Sequence, residues 1–195
     1  MGDKKQETIT KYLGDMKSVI SHVYEAMERQ KDEFKDQADV SQTIARIALG
    51  LKRQGDAIEA RQTSLGGSPT QPVKEAVAGA VGVFAGLYNK VRTEGEAKGL
   101  RDDHVALNLV LVSYSTLHTT AVAFGDTATA QLAKTGLTES AKFAMDVQKL
   151  VPPTVLRELQ DGDFGTLDAS APEQTMAAMR SAWGTPESAP QTARV

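Results

Sequence analysis

Apolar positions in the first thirty residues fall at Ile9, Tyr12, Leu13, Met16, Val19, Ile20, Val23 and Met27. Steps of three and four put them on one side of a helix. Lys11, Asp15, Lys17, Glu25 and Arg29 occupy the other side. The spacing predicts a helix over residues 7–31. A second stripe, Val40, Ile44, Ile47, Ala48, Leu51 and Ile58, predicts a helix over 38–65. Gly50 and Gly55 interrupt it, and each weakens a helix interior by about 1 kcal/mol. They mark either a kink or a close approach of another helix. Gly66-Gly67 followed by Pro69 and Pro72 is a strong stop.

Beyond it, Val73, Val77, Val81, Phe84, Tyr88 and Val91 keep a helical period among many Ala and Gly. Residues 72–92 therefore read as a crossover helix packed closely on its neighbours. Residues 105–124 are apolar nearly all round, which predicts burial on several sides. Arg101, Asp102 and Asp103 form the acidic first turn of that helix, suited to its dipole. Its candidate inward polar groups are Asn108, Ser113, Ser115 and His118. A fifth helix is predicted over 127–150, with Leu132, Leu137, Ala141, Ala144 or Met145, and Val147 inward and a break near Gly136. Pro152-Pro153 is expected to end it and start a short helix over 153–160. A bundle domain over 1–163 is then followed by an Ala-, Ser- and Pro-rich tail over 164–195. One amphipathic piece in the tail, residues 173–183, carries Met176, Met179 and Trp183. No segment competes as a strand, so the class is all-α.

Composition narrows the chemistry. The 195 residues carry a net charge of −3 and only 5% aromatics, which argues against a nucleic-acid partner. There is no cysteine, so disulfides, thiolate catalysis and Cys-ligated metals are excluded. Gln6 stands where a myristoylation signal needs Ser or Thr. The charged start is not followed by the apolar stretch of a signal peptide. The longest apolar runs, near 76–87 and 105–112, read as too short to span a bilayer. The expectation is a cytoplasmic protein with no membrane partner.

Few residues suggest catalysis. No Gly-x-Ser-x-Gly and no phosphate loop is present. His118 follows Tyr114 by four residues on the buried helix; a paired core histidine is the ordinary explanation. His22 lies beside the first stripe, and His104 is expected in solvent near a helix start. Tyr114, Ser115 and His118 form a candidate small-ligand set. Glu25, Glu59, His118 and Glu139 form a candidate metal set, against which stands a solvated face paired to Arg29, Arg53 and Arg61.

Helix order and segment character carry a resemblance. The stretches are Tyr12-Leu-Gly-Asp-Met16 with Tyr24-Glu-Ala-Met-Glu-Arg-Gln30, Ile58-Glu-Ala-Arg-Gln-Thr-Ser-Leu-Gly-Gly67, and Leu111-Val-Ser-Tyr-Ser-Thr-Leu-His-Thr-Thr120. Over residues 6–160 the chain resembles bacterial ferritin-like proteins of the YciE/YciF stress-associated type. The resemblance implies a ferritin-like four-helix bundle with a long crossover helix and a short C-terminal helix. It also implies a di-metal site built from a Glu on the first helix, Glu-x-x-His on the second, and carboxylates on the last two. At the matched positions this chain has Ile20, Gln62, Ser113 and Ser115. Glu139 and Asp146 lie seven apart on the last helix, neither in a Glu-x-x-His.

The combined expectation is a ferritin-like bundle with a degenerate metal site and no cofactor. It would act as a structural, self-associating or binding protein in a stress-related role, as a homo-oligomer, with a possible protein partner on the C-terminal tail. The alternatives are an iron- or manganese-dependent oxidoreductase using Glu25, Glu59, His118 and Glu139, and a small-ligand binder.

Overall fold

A computed structural model describes residues 2–30, 34–67 and 95–183. They form α1 (Asp3–Gln30), α2 (Ala38–Ser64), α3 (Glu96–Phe124), α4 (Thr127–Gln160) and α5 (Ala171–Trp183). No strand occurs among the described residues. The predicted crossover helix over 72–92 lies outside them. Helices α1 to α4 make a four-helix bundle in which α1 packs on α2 and α3, and α4 on α2 and α3.

The two stripes of the first half do what their spacing implies. Ile9, Leu13, Met16, Ile20, Val23 and Met27 of α1 are buried against Val40, Ile44, Ile47, Leu51 and Ile58 of α2. Gly50 marks a close approach and not a kink. A Cβ there would lie 2.4 Å from Cζ of Phe143 on α4, so only glycine admits that ring.

Polar contacts fix the two ends. At one end the Gln6 side chain donates to the Leu65 carbonyl at 2.8 Å, joining the start of α1 to the end of α2. Arg61 of α2 reaches the turn between α3 and α4, where its Nη2 lies 2.7 Å from Asp126 Oδ1. At the opposite end the Ala97 N–H donates to Glu158 Oε1 at 2.8 Å. Arg157 there donates to Asp39, Gln37 and Thr154. Gly67 and Gly95 therefore sit at opposite ends of the bundle.

Three expectations are corrected. Helix α3 begins at Glu96, five residues before the predicted first turn at Arg101, so Asp102 and Asp103 lie inside it and are buried. It is also not buried all round: Val105, Val112 and Val122 are 45%, 58% and 58% exposed. At 29 residues it is long and apolar enough to cross a membrane by length and composition, against the short-run reading. In this fold Leu100, Leu107, Val110, Tyr114, Leu117 and Ala121 pack one of its sides into the bundle core.

Helix α4 runs unbroken past Gly136 and through Pro152-Pro153 to Gln160. Each proline removes a helical hydrogen bond, at a cost of up to about 3 kcal/mol. The bonds of Arg157 and Glu158 to α2 and α3 hold the last turns in place despite that loss. The inward register also differs from the leucine-based one. Thr129, Ala133, Gly136, Ser140, Phe143, Ala144 and Val147 are buried, while Leu132 and Leu137 are only partly so. Small residues line this face because α3 and α4 are the most extensively packed pair.

The tail helix α5 matches the amphipathic piece read from the sequence. It packs only on α4 among the described helices, and none of its residues is buried. Between the two lies an apolar groove of about 230 Å³, lined by Val151, Val155, Leu156, Leu159 and Pro172.

Candidate functional site

The middle of the bundle holds a small polar cluster where α2, α3 and α4 meet. Gln54 continues the apolar stripe of α2, three residues after Leu51, and is therefore carried inward. Its Nε2 donates to Glu139 Oε2 at 3.0 Å. Ser140 Oγ donates to Gln54 Oε1 at 3.4 Å. The carboxamide is thus used on both sides, by a carboxylate and by a hydroxyl.

Tyr114 completes this layer from α3. Its ring is 1% exposed and lies flat on Gly136, where a Cβ would come within 2.1 Å of Cζ. Burial, and then the charge of Glu139, push the Tyr114 hydroxyl well above its usual range. It therefore stays protonated and cannot serve as a base near neutral pH.

Two further polar groups seal the ends. The Gln30 amide nitrogen donates to both carboxylate oxygens of Asp103 at 2.8 and 2.7 Å, an orientation assigned from the partners present. Asp126 caps α4, accepting from the Thr129 N–H at 3.0 Å and the Thr129 hydroxyl at 2.6 Å. Burial alone would raise its pKa. The bonds from Thr129 and Arg61 outweigh burial and hold the carboxyl below the usual carboxylate range.

The residues singled out from the sequence are dispersed. Glu139 is in the central cluster beside Tyr114. Glu59 pairs with Lys17 across α1 and α2 at 2.9 Å, half-exposed. Glu25 is exposed on α1. His118 is half-buried on α3, while Ser115 is exposed and donates to the Leu111 carbonyl of its own helix. Asp146, the partner residue of Glu139 on α4, is taken by Arg46 at 2.8 Å.

The matched positions behave differently from one another. Ile20 is core and Gln62 is buried, donating to the Thr10 carbonyl at 3.4 Å. Ser113 donates to the Leu109 carbonyl. Of the four polar candidates on α3, none takes the inward place that Tyr114 holds. His104, expected in solvent, is half-buried with Nδ1 2.9 Å from the Ala144 carbonyl of α4. Among the described residues, no three His, Asp or Glu side chains gather into a group that could hold a metal ion.

Sequence reading missed Gln54, the Gln30–Asp103 pair and the Arg61–Asp126–Thr129 network. A signal existed for the first: a glutamine exactly in step with an apolar stripe must either be buried or break the stripe. The Gln30–Asp103 and Arg61–Asp126 contacts join residues far apart in the chain, while Asp126 as the cap three residues before Thr129 was a local signal.

Helix order and packing among the described residues match the ferritin-like fold. Solved structures of that class superimpose on the chain. The Escherichia coli stress protein YciF aligns with a TM-score of 0.65 at 16% identity, over 80% of this chain and 99% of that one. An archaeal Dps homologue from Halobacterium salinarum gives 0.63 at 18% identity, over 88% of each. A bacterioferritin from Desulfovibrio desulfuricans, whose structure contains a diiron site, gives 0.56 at 16%, over 80% of this chain and 91% of that one. The chain belongs to the family described as a domain of unknown function, DUF892, whose model matches residues 4–160. The resemblance to YciF-type ferritin-like proteins is thereby borne out. No curated protein sequence matches the chain.

Proposed function

We propose that this chain is a ferritin-like scaffold whose interior does not take the usual di-metal centre, and that it works by self-association or binding in a stress-related setting. One observation carries the reading: Gln54 spends its amide on Glu139 and Ser140 at the centre of the bundle. A diiron site in such a fold takes about four carboxylates and two imidazoles converging on one layer. Here the layer offers Glu139, a neutral amide, a serine and a protonated tyrosine. Each polar group in it except the Tyr114 hydroxyl has a protein partner, and a cation would have to displace them. That donor set does not fit a di-metal centre, and no redox step is assigned to it.

The stress-related setting is supported by the likeness to the E. coli stress protein. Self-association is supported by the likeness to Dps and bacterioferritin, proteins of a class that forms symmetric assemblies.

The test is elemental analysis coupled to native mass, on full-length protein incubated with Fe(II) or Mn(II) and desalted. The expected result is sub-stoichiometric metal on an assembly larger than one chain. Near-stoichiometric metal that Glu139→Ala abolishes would overturn the reading and support the oxidoreductase alternative with Glu25, Glu59, His118 and Glu139. A metal-free monomer would remove self-association and leave only the binding role.

A further inference from the structure

Past the bundle, α4 and α5 enclose an apolar cleft of about 230 Å³. The family model ends at residue 160, so the α5 wall of the cleft lies outside the matched residues. The floor is Val151, Val155, Leu156 and Leu159, a stripe that α4 carries past Pro152-Pro153. The facing wall is Ala171, Pro172 and Thr175 of α5. Burial does not hold this helix in place, since none of its residues is buried. Its start is fixed instead by a cap built in the linker. Asp168 Oδ1 accepts from the Ser170 N–H at 2.8 Å and from the Ser170 hydroxyl at 2.6 Å. Gln174 Nε2 donates to Asp168 Oδ2 at 3.1 Å. Such local bonds order a helix start without help from the core.

A helix that served only to cover α4 would close the gap. Here Val155 and Leu159 stay 39% and 38% exposed. The large side chains Met179 and Trp183 of α5 do not line the cleft; small ones do, and the space they leave is the cleft. No ionisable side chain lines it, and the Thr175 hydroxyl is its only polar side-chain group. An ion entering it would lose hydration with nothing to replace the water. The neighbouring groove, which shares Pro172, is different: Lys149, Glu173 and Arg180 line it. An apolar cavity of about 150 Å³ admits benzene, so the cleft has room for two rings. We propose that the cleft between α4 and α5 is a binding site for an uncharged, mainly apolar molecule of one or two rings with at most one hydrogen-bonding group. The site begins about 17 Å along α4 from Ser140 of the central layer, at 1.5 Å per residue. It rests on the binding half of the reading above, and not on self-association or on the state of the central layer.

The probe is 1-naphthylamine, a two-ring amine that is uncharged at neutral pH. It is titrated into the full-length protein and followed by calorimetry. The emission of Trp183, the only tryptophan and a residue of α5, gives a second readout. The expected result is one saturable site per chain, with a dissociation constant of about 10–100 µM for a ligand of this size. Val155→Asp puts a charge on the floor, and Ala171→Phe fills the cleft without one. Each is expected to weaken binding about tenfold or more, with an unchanged far-UV circular dichroism spectrum. Leu49→Asp, at a 55% exposed apolar residue of α2, is the control and is expected to bind like the wild type. The anionic analogue 1-naphthoate is expected to bind about tenfold more weakly than the amine.

Other outcomes overturn the proposal. No saturable binding up to about 1 mM would mean that the cleft is a packing gap. An equal loss in Leu49→Asp would mean general adhesion to apolar surface. Naphthoate binding more tightly than naphthylamine would move the ligand to the groove of Lys149 and Arg180. Native mass on the same samples reads assembly separately. A monomer that binds one naphthylamine supports the site while removing self-association. An oligomer that binds none retains self-association and sinks the site.

Discussion

The closest contact in the core gives the sharpest test. Gly136 of α4 lies under the Tyr114 ring of α3. A Cβ at residue 136 would be 2.1, 2.4 and 2.6 Å from Cζ, Cε1 and Cε2. The ring is 1% exposed and has little room to withdraw. Gly136→Ala gains about 1 kcal/mol of helix propensity. Against that stands overpacking, about 3 kcal/mol at the upper end for contacts so short. The net expected loss is about 2 kcal/mol, or a fall in melting temperature of about 4–8 °C for a chain of this size.

Tyr114→Leu removes the colliding atoms at the price of a cavity, costing about 2–3 kcal/mol alone. In that background Gly136→Ala should become neutral or stabilising by about 1 kcal/mol. The two sites then couple by about 3 kcal/mol in a double-mutant cycle. Urea unfolding followed by far-UV circular dichroism measures all four proteins. A Gly136→Ala protein as stable as the wild type would refute the argument. So would an equal penalty with Tyr and with Leu at residue 114, because the collision would then not be with the ring.

Two further expectations concern charge. Asp126→Ala removes the α4 cap and leaves Arg61 unpaired, at an expected cost of about 2 kcal/mol near neutral pH. Because the folded Asp126 carboxyl is held below the usual range, its contribution is present above the ordinary carboxylate pKa and lost as pH falls through the folded one. The wild-type advantage in urea midpoint should therefore shrink from about pH 7 to about pH 3; a constant advantage would refute the ion-pair account. Asp15 is the opposite case: burial, opposed by Lys11, raises its pKa, and its Oδ1 is buried without a hydrogen-bond partner. The unfavourable charge is absent below the unfolded pKa and appears as pH rises through the folded one. Asp15→Asn should raise the melting temperature near pH 7 and lose that gain in acid, as thermal melts across the range would show.

Helices α1 and α2 were legible because large apolar side chains mark their inward faces. Helix α4 was legible in its start but not in its continuity or register. Hydrophobicity alone put Leu132 and Leu137 inward, yet close helix packing favours small residues at the contact, and Thr129, Ala133, Gly136 and Ser140 lie there instead. The same physics explains why Gly136 was read as a break. A glycine in a helix sequence weakens the helix whether it bends or admits a ring, and only the partner, Tyr114, decides which. The start of α3 was hidden for a related reason: Gly99 is poor in helix propensity, yet it is buried inside the helix.

The central cluster shows the limit most clearly. The missing ligands at residues 20, 62, 113 and 115 were visible, but what replaced them was not. Ser115 faces solvent and Gln62 bonds to α1, so the matched positions do not map onto one layer. Gln54 and Glu139 do meet there, 85 residues apart in sequence. Which polar residues share a layer depends on helix rotation, and a rotation of one residue, about 100°, exchanges Ser115 for Tyr114. On α3 that single step also separates the buried side from the exposed one. The rotation that buries Tyr114 on Gly136 is the same one that exposes Val105 and Val112. The core collision and the exposed side of α3 are therefore two consequences of one helix orientation, and a Gly136→Ala protein as stable as the wild type would place the error there.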